Sequence, residues 1–396
     1  MRVILNQWAA VGRKTGIGHY VAELAASLPE QADGGEVVLF PPRGLQRVKE
    51  FLGLGYSYNP SAAACGLARL RAGLRGLLRR VGRKAFAWYF RRCCAHAKVD
   101  LYHEPNYIPL PCDVPAVVSL HDLSVLLHPE WHPRDRVAYF ERYFADGLKR
   151  GRHFLTISEF IRQEVIRILS IPPERVTCVY PGIRSNLAPL GREQVDTTLR
   201  RLGLPPRYLL HVGTIEPRKN LLMLLRAYCA LPAHLRERWP LLLAGGWGWN
   251  AQPIFDYWHA AARHRGVVQV GYVAEEDLPA VYNGGRALLC PSFYEGFGLP
   301  PVEMMACGGA VVASTAGALV ETAGPRAHLL APDDLDGWRD AMARVAEDEG
   351  WWRLLRRGVI EAARPFTWQR CAAETWAVYR AVHGGQGASR PLPRAA

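Results

Sequence analysis

The chain has 396 residues, 49% hydrophobic and 21% charged; this is a globular composition with room for two domains, and it excludes a disordered or fibrous protein. No apolar run approaches the ~18 residues of a membrane-spanning helix, and nine scattered cysteines without a C-x-x-C pair argue for reduced thiols in a cytosolic protein, not a disulfide frame or a zinc site. The formal charge of +13 points to an anionic partner: a nucleotide, a nucleic acid or lipid headgroups.

The apolar part of "MRVILNQWAA" is too short for a signal peptide and predicts a first strand. In "KTGIGHYVAELAASL", Gly16 and Gly18 precede a helix, as in a phosphate-binding turn, although the full G-x-G-x-x-G is not there. A strand, "EVVLF", comes next. From Arg69 to Lys98 there are ten Lys or Arg and no acid. Within this segment Leu70, Leu74, Leu77, Leu78 and Val81 recur at helical spacing, and Phe86, Trp88, Tyr89 and Phe90 follow. That pattern fits a helix lying on anionic lipid, and equally a basic helix packed on its own domain. Gly73, Gly76 and Gly82 would weaken it in isolation.

Next come the strands "VDLYHE", "AVVSLHD", "HFLTIS" and "VTCVYP". His121 and Asp122 close the second of these, at the carboxyl edge of the sheet. A histidine there can act on developing positive charge, orient an acceptor, or serve only as a hydrogen-bonded structural group. His128 and His132 read as loop residues, and no third ligand makes a metal site of them. A Pro/Gly turn and the helix "DTTLRRLGL" form a join near Pro181–Pro206. The second half predicts "YLLHVG", "PLLLAGG", "VVQVGYV", "ALLCPS", "AVVAST" and "AHLLAP". Nearly continuous apolar runs of this kind are parallel strands covered on both faces. Their alternation with helices in both halves predicts two doubly wound α/β domains, 1–185 and 195–364. A helix over 365–384 starts after the last strand and is expected to cross back to the first domain; residues 385–396 read as a disordered tail.

Two clusters carry the chemistry. In "HVGTIEPRKNLLMLLRAY", Arg218 and Lys219 stand just before a helix. Two cations oppose a helix dipole there unless an anion binds, and a diphosphate would suit. Otherwise they are a solvated pair. In "SFYEGFGLPPVE", a buried strand ends, Glu295 enters a loop, Gly296 and Gly298 let the backbone approach closely, and Pro300 opens a helix carrying Glu303. Two carboxylates, free amides and a helix N-terminus in one place can hold sugar hydroxyls and phosphate oxygens. The alternative is a surface glutamate matched to the dipole, with glycines as turn formers.

Taken together, "EGFGLPPVE" (an E-x7-E motif), "GTIEPRKN", the "HD" pair and "GIGHY" make the sequence resemble the retaining glycosyltransferases of family four, over nearly all of the chain but its tail. The resemblance implies the GT-B fold: two doubly wound, Rossmann-like domains facing across a cleft, with nucleotide-sugar on the second and acceptor on the first. By motif it implies that Arg218 and Lys219 hold the diphosphate and Glu303 the ribose. Glu295, with the amides of Phe297 and Gly298, holds the donor sugar, and His121 sits at the reaction centre. Gly16 and Gly18 line the phosphate side, and Tyr272 flanks the base. It implies no metal and no cofactor beyond a GDP- or UDP-linked sugar as donor substrate. "HDLSVLLHPEWHP" resembles bacterial mannosyl- and rhamnosyltransferases of polysaccharide assembly, which implies a glycan or lipid-linked acceptor; together with the scattered cysteines and the basic segment, the expectation is a cytoplasmic protein, peripheral on the inner face of the plasma membrane. The D-x-D in Asp333–Asp336 precedes a helix and reads as an N-cap, not as a metal motif. A nucleotide-sugar epimerase of the same fold, a non-catalytic paralogue and a basic nucleic-acid-binding module are the rival readings; the intact motifs argue against the second, and the last has no nucleic-acid motif behind it.

Overall fold

The computed structural model describes residues 1–12, 16–42 and 68–385. Lys14 and Thr15 of the first turn, Cys65, the side chains of 68–81 and of Arg83, and the tail 386–396 lie outside what is described.

Among the described residues twelve strands form two six-stranded sheets, and each predicted apolar run supplies one of them. The first sheet holds β1 (Arg2–Asn6), β2 (Glu36–Phe40), β3 (Leu101–Glu104), β4 (Ala116–Leu120), β5 (Gly151–Thr156) and β6 (Val176–Cys178), in the order β2-β1-β3-β4-β5-β6. The second holds β7 (Tyr208–Val212), β8 (Leu241–Ala244), β9 (Val267–Gly271), β10 (Gly285–Cys290), β11 (Ala310–Ser314) and β12 (His328–Leu330), in the order β12-β11-β10-β7-β8-β9. Every ladder between these strands is parallel. The fold is therefore two doubly wound α/β units, as the strand pattern predicts.

Alternation within the second sheet explains why its strands read as apolar throughout. Leu209, Leu241 and Leu243 enter one core, with Leu224 and Trp338; Leu210, Leu242 and Ala244 enter the opposite one, with Val302 and Met304. Both faces of the central strands are covered, so an unpartnered polar group there is costly and apolar residues prevail. The chain reverses direction across this sheet between β7 and β10, which are neighbours. In open parallel sheets that reversal opens a crevice at the carboxyl ends of the strands. The loops that leave β7 and β10 carry Arg218, Lys219 and Glu295.

The last helix, Trp368–His383, is capped by the Thr367 hydroxyl and packs on the first sheet. Its Trp376 indole N–H donates to the Leu28 carbonyl at 2.8 Å, and its Tyr379 hydroxyl meets His103 Nδ1 at 2.6 Å. Asp334 caps the helix Leu335–Glu347 by accepting from the Gly337 amide at 2.9 Å, so the D-x-D segment is an N-cap in the structure.

The basic segment forms one helix, Ala68–Ala97. Its aromatics divide between the core of the first domain and the outside. Phe90 is fully buried against Phe40 and Tyr102, and Phe86 lies against Trp8 and Phe40. Trp88 and Tyr89 are exposed, at 59% and 40%. A helix places neighbours 100° apart, so a run of four aromatics cannot all face one way. No helix among the described residues is long and apolar enough to cross a membrane.

Candidate active site

The loop after β7 turns through Gly213 and Thr214 into a short 3-10 helix, Pro217–Lys219. Asn220 then takes a left-handed conformation, φ 55°, which asparagine tolerates. Its side-chain amide donates to the Pro291 and Pro332 carbonyls at 3.1 and 2.6 Å and ties the β7 and β10 loops together. Arg218 and Lys219 thereby converge on Glu295, 77 and 76 residues further on.

Glu295 is buried. Its Oε2 accepts from Arg218 at 2.9 Å, and its Oε1 accepts from Lys219 Nζ at 2.5 Å and from the Ser292 hydroxyl at 2.7 Å. Arg218 also donates to Glu216 Oε1 and to the Tyr294 carbonyl, both at 2.9 Å. Burial alone would raise the Glu295 carboxyl, but the Lys219 and Arg218 charges override it and hold it at about 2. Burial would likewise lower the Arg218 guanidinium; Glu295 and Glu216 hold it well above its ordinary value.

This geometry corrects one step of the sequence argument. The anion that answers the two cations is supplied by the protein itself: Glu216 and Glu295 balance Arg218 and Lys219 two against two. A diphosphate arriving here must compete with a carboxylate or draw it onto another partner.

Glu303 lies in the second turn of the helix Leu299–Ala306 and is buried. Its Oε1 accepts from Arg184, and its Oε2 accepts from the Tyr282 hydroxyl at 2.6 Å. It is thus no surface glutamate; each oxygen has a protein donor and keeps a second lone pair. The amides of Phe297 and Gly298, at the mouth of that helix, donate to no acceptor among the described residues. The Phe297 ring is buried between Tyr180 and Phe366. Gly298 has φ +87°, where a side chain would be strained and would strike Leu319.

His121 leaves β4 on the first domain and is buried. Its Nε2 bonds the Pro105 carbonyl at 2.7 Å, and its ring packs edge-on to Tyr20 at 4.8 Å. Burial pushes its pKa down, so the ring is neutral and Nε2 carries the proton. The His121 carbonyl abuts Gly296: a Cβ on that glycine would come within 2.1 Å of it. Sequence reasoning gave Gly296 to a ligand; the structure gives its open side to the other domain. The Ser158 hydroxyl, from the first domain, donates to the Gly296 carbonyl at 2.7 Å. Glu321, from the second, accepts from the Glu159 and Phe160 amides at 2.8 Å each and so caps a first-domain helix. His121 and the Glu295 loop are therefore together in a closed cleft.

Gly16 and Gly18 begin the helix Gly16–Ser27, and His19 beside them pairs with Glu275 of the second domain at 2.8 Å. Tyr272 follows the edge strand β9 and is 58% exposed. It stands on the β9 side of the crevice, with the Arg218–Glu295 cluster at β7 and β10. Glu216, Ser292, Arg184 and Tyr282 were not singled out in the sequence. Glu216 sits inside the "GTIEPRKN" motif and Ser292 opens "SFYEGFGLPPVE", so motif membership could have found both. Arg184 lies 119 residues before Glu303 in the inter-domain link, and only the fold joins them.

Two doubly wound domains meet, with a buried Arg–Lys–Glu cluster at the β7/β10 switch point. Residues 14–187 match the model of Glycosyltransferase Family 4 and residues 199–365 that of Glycosyl transferases group 1. The O-antigen chain mannosyltransferase B of Escherichia coli is 33% identical over 374 residues, 92% of this chain and 96% of that protein. Serotype-specific mannosyltransferase WbdA of the same species is 30% identical over 285 residues, 68% of this chain but only 34% of that protein. The chain belongs to the family-four, group-one glycosyltransferases and is a glycosyltransferase. Its fold is also that of the sucrose-phosphate synthase of Thermosynechococcus elongatus (TM-score 0.71, 19% identity, 98% and 100% of the two chains). It is shared as well by HepE of Anabaena, solved in complex with UDP-glucose (TM-score 0.66, 17% identity, 96% and 100%).

Proposed function

We propose that the chain moves a hexose, mannose or a deoxyhexose, from a GDP- or UDP-linked donor to a lipid-linked or growing glycan, with retention at the transferred carbon. The buried Arg218–Lys219–Glu295 cluster at the β7/β10 crevice carries this reading. Mannose and a saccharide-chain acceptor are favoured by the similarity to the O-antigen mannosyltransferase. The bond from the sugar carbon to the leaving phosphate breaks as the acceptor oxygen bonds the same face, and a donor phosphate oxygen takes the acceptor's proton. Arg218 and Lys219 neutralise the departing diphosphate, the part a metal plays elsewhere, and the amides of Phe297 and Gly298 add donors at a helix N-terminus. As phosphate draws Lys219, Glu295 is freed to accept from sugar hydroxyls. Glu303 takes the ribose, Tyr272 flanks the base, and Gly16 and Gly18 line the phosphate side. Neutral His121 stands at the reaction centre, and the closed contacts around Gly296 exclude water.

Substituting the two glutamates separates these roles. Glu303→Gln is expected chiefly to weaken nucleotide binding, and Glu295→Gln to lower turnover more than nucleotide affinity. Calorimetric titration with the nucleoside diphosphate beside steady-state rates checks this; the reverse pattern would mean the roles are exchanged.

The helix Ala68–Ala97 supports a peripheral membrane location at the cytoplasmic face. Those of the ten cations between Arg69 and Lys98 that meet an anionic surface contribute roughly 1 kcal/mol each, and exposed Trp88 and Tyr89 add a part that salt does not screen. The protein should sediment with anionic liposomes at low salt and release partly at high salt. Replacing Arg75, Arg79, Arg80 and Arg83 with Gln should abolish sedimentation and leave donor binding intact. Wild-type protein that ignores the liposomes at low salt would sink the membrane claim.

A further inference from the structure

A buried histidine of β7 lies beside the Arg218–Lys219–Glu295 cluster. His211 is the fourth residue of β7, two before Gly213, and is 1% exposed. Its Nδ1 bonds the Leu289 carbonyl of β10 at 2.9 Å. A carbonyl only accepts, so Nδ1 carries the proton and Nε2 presents a bare lone pair. That Nε2 is fully buried and has no hydrogen-bond partner among the described residues. It faces the space over Gly213: a Cβ placed there would lie 3.6 Å from His211 Nε2 and 3.8 Å from Lys219 Cε. Gly213 has φ +149° and no side chain, which keeps that space open between the imidazole and the lysine stem.

An orphaned buried acceptor costs roughly 1–3 kcal/mol. An apolar side chain in β7 would remove that cost, as Leu209 and Leu210 show beside it. The nitrogen is also poorly placed to become a cation, because burial, with Lys219 as a further charge, pushes its pKa down to about 4. It stays an acceptor at neutral pH.

We propose that His211 is a positioning residue for Lys219: its Nε2 receives one ammonium N–H when Glu295 turns from Lys219 to the donor sugar, and so keeps the lysine aimed at the diphosphate. This rests on the donor-binding role of Lys219 given above. An ammonium has three N–H donors, and Glu295 uses one of them in the structure. Once that partner leaves, the lysine has a phosphate oxygen on one side and the bare imidazole nitrogen on the other. The β7–β10 hydrogen bond fixes the tautomer, so the acceptor is set before the donor arrives.

The test is a mutant cycle on the full chain, read by calorimetric titration with GDP-mannose and UDP-glucose, using whichever binds wild type. His211→Phe should melt at or above the wild-type temperature, since an orphaned polar atom is gone, yet bind the sugar nucleotide about tenfold more weakly. His211→Gln, which restores an acceptor, should bind within about threefold of wild type. In a Lys219→Ala background, His211→Phe should cost nothing further. If Phe does not fold, His211→Leu carries the same measurement. Unchanged affinity in the folded apolar variant, or an equal loss with and without Lys219, would overturn the proposal. If Lys219→Ala itself binds as wild type does, the donor-binding role of Lys219 fails first, and this inference falls with it.

Discussion

Lys219→Ala is expected to lower affinity for the nucleoside diphosphate by one to two orders of magnitude and to destabilise the second domain. Two effects act together. The variant loses a charge-assisted bond, worth roughly 1.5–3 kcal/mol. It also leaves the cluster one positive charge short, so Glu216 and Glu295 outnumber Arg218 and repel the incoming phosphates. Removing one partner of a buried ion pair costs ~3–5 kcal/mol, and Arg218 and Ser292, still bonded to Glu295, keep this case at the low end. The acid limb should move as well. Glu295 is depressed from its ordinary 4.5 to about 2. A carboxyl lowered on folding stabilises the fold above its unfolded value, and that stability drains away as pH falls from 4.5 towards 2. With one of its two cations gone, the variant should show a smaller loss over that window. Diphosphate titration at neutral pH and melting curves from pH 5 to 2 check both parts. Wild-type affinity in the variant would remove the phosphate assignment.

Gly296→Ala is expected to cut turnover about a hundredfold and leave diphosphate affinity within about threefold of wild type. Gly296 is not among the positive-φ glycines, so alanine suits its backbone. The obstacle is steric and lies in the other domain: the new methyl would sit 2.1 Å from the His121 carbonyl, against an ordinary contact above 3 Å. Relief requires the domains to part by on the order of 1 Å, and a displacement of that size at a reaction centre can cost about 100-fold in rate. The diphosphate cluster lies within the second domain and does not need the contact. Steady-state transfer rates beside binding measurements decide the matter. Undiminished turnover would mean that the His121–Gly296 contact is no part of the working state.

These two positions also mark how far the sequence could be read. The strands were legible because both faces of the central strands are covered, so apolar residues prevail, as at Leu241, Leu242 and Leu243. The loops that carry function were legible because Gly298 and the Pro300 turn mark a special backbone. The partners were not, because pairing acts through space. Nothing in "EPRKN" says that its cations meet a carboxylate 76 residues on, or that Arg184 meets Glu303. Gly296 was read as making room for a ligand, since a glycine in sequence cannot say which neighbour presses on it. The run Phe86 to Phe90 fits a lipid-facing helix and a packed one equally well in sequence, and only packing on Phe40 and Tyr102 turns Phe90 inward. His211 passed as one more residue of a buried strand, and only the direction of its second nitrogen sets it apart.

In the proposed function the β7/β10 crevice binds a sugar nucleotide through Arg218, Lys219 and Glu295 without a metal ion. A thermal-shift screen of wild type and Lys219→Ala, in EDTA, against GDP-mannose, UDP-glucose and dTDP-rhamnose tests it most directly. A ligand selective for the folded state raises the melting temperature as its concentration passes its dissociation constant. One sugar nucleotide is expected to stabilise wild type in EDTA, and the variant to respond only at concentrations ten to a hundred times higher. No stabilisation of wild type by any of them, or an equal response from the variant, would contradict it.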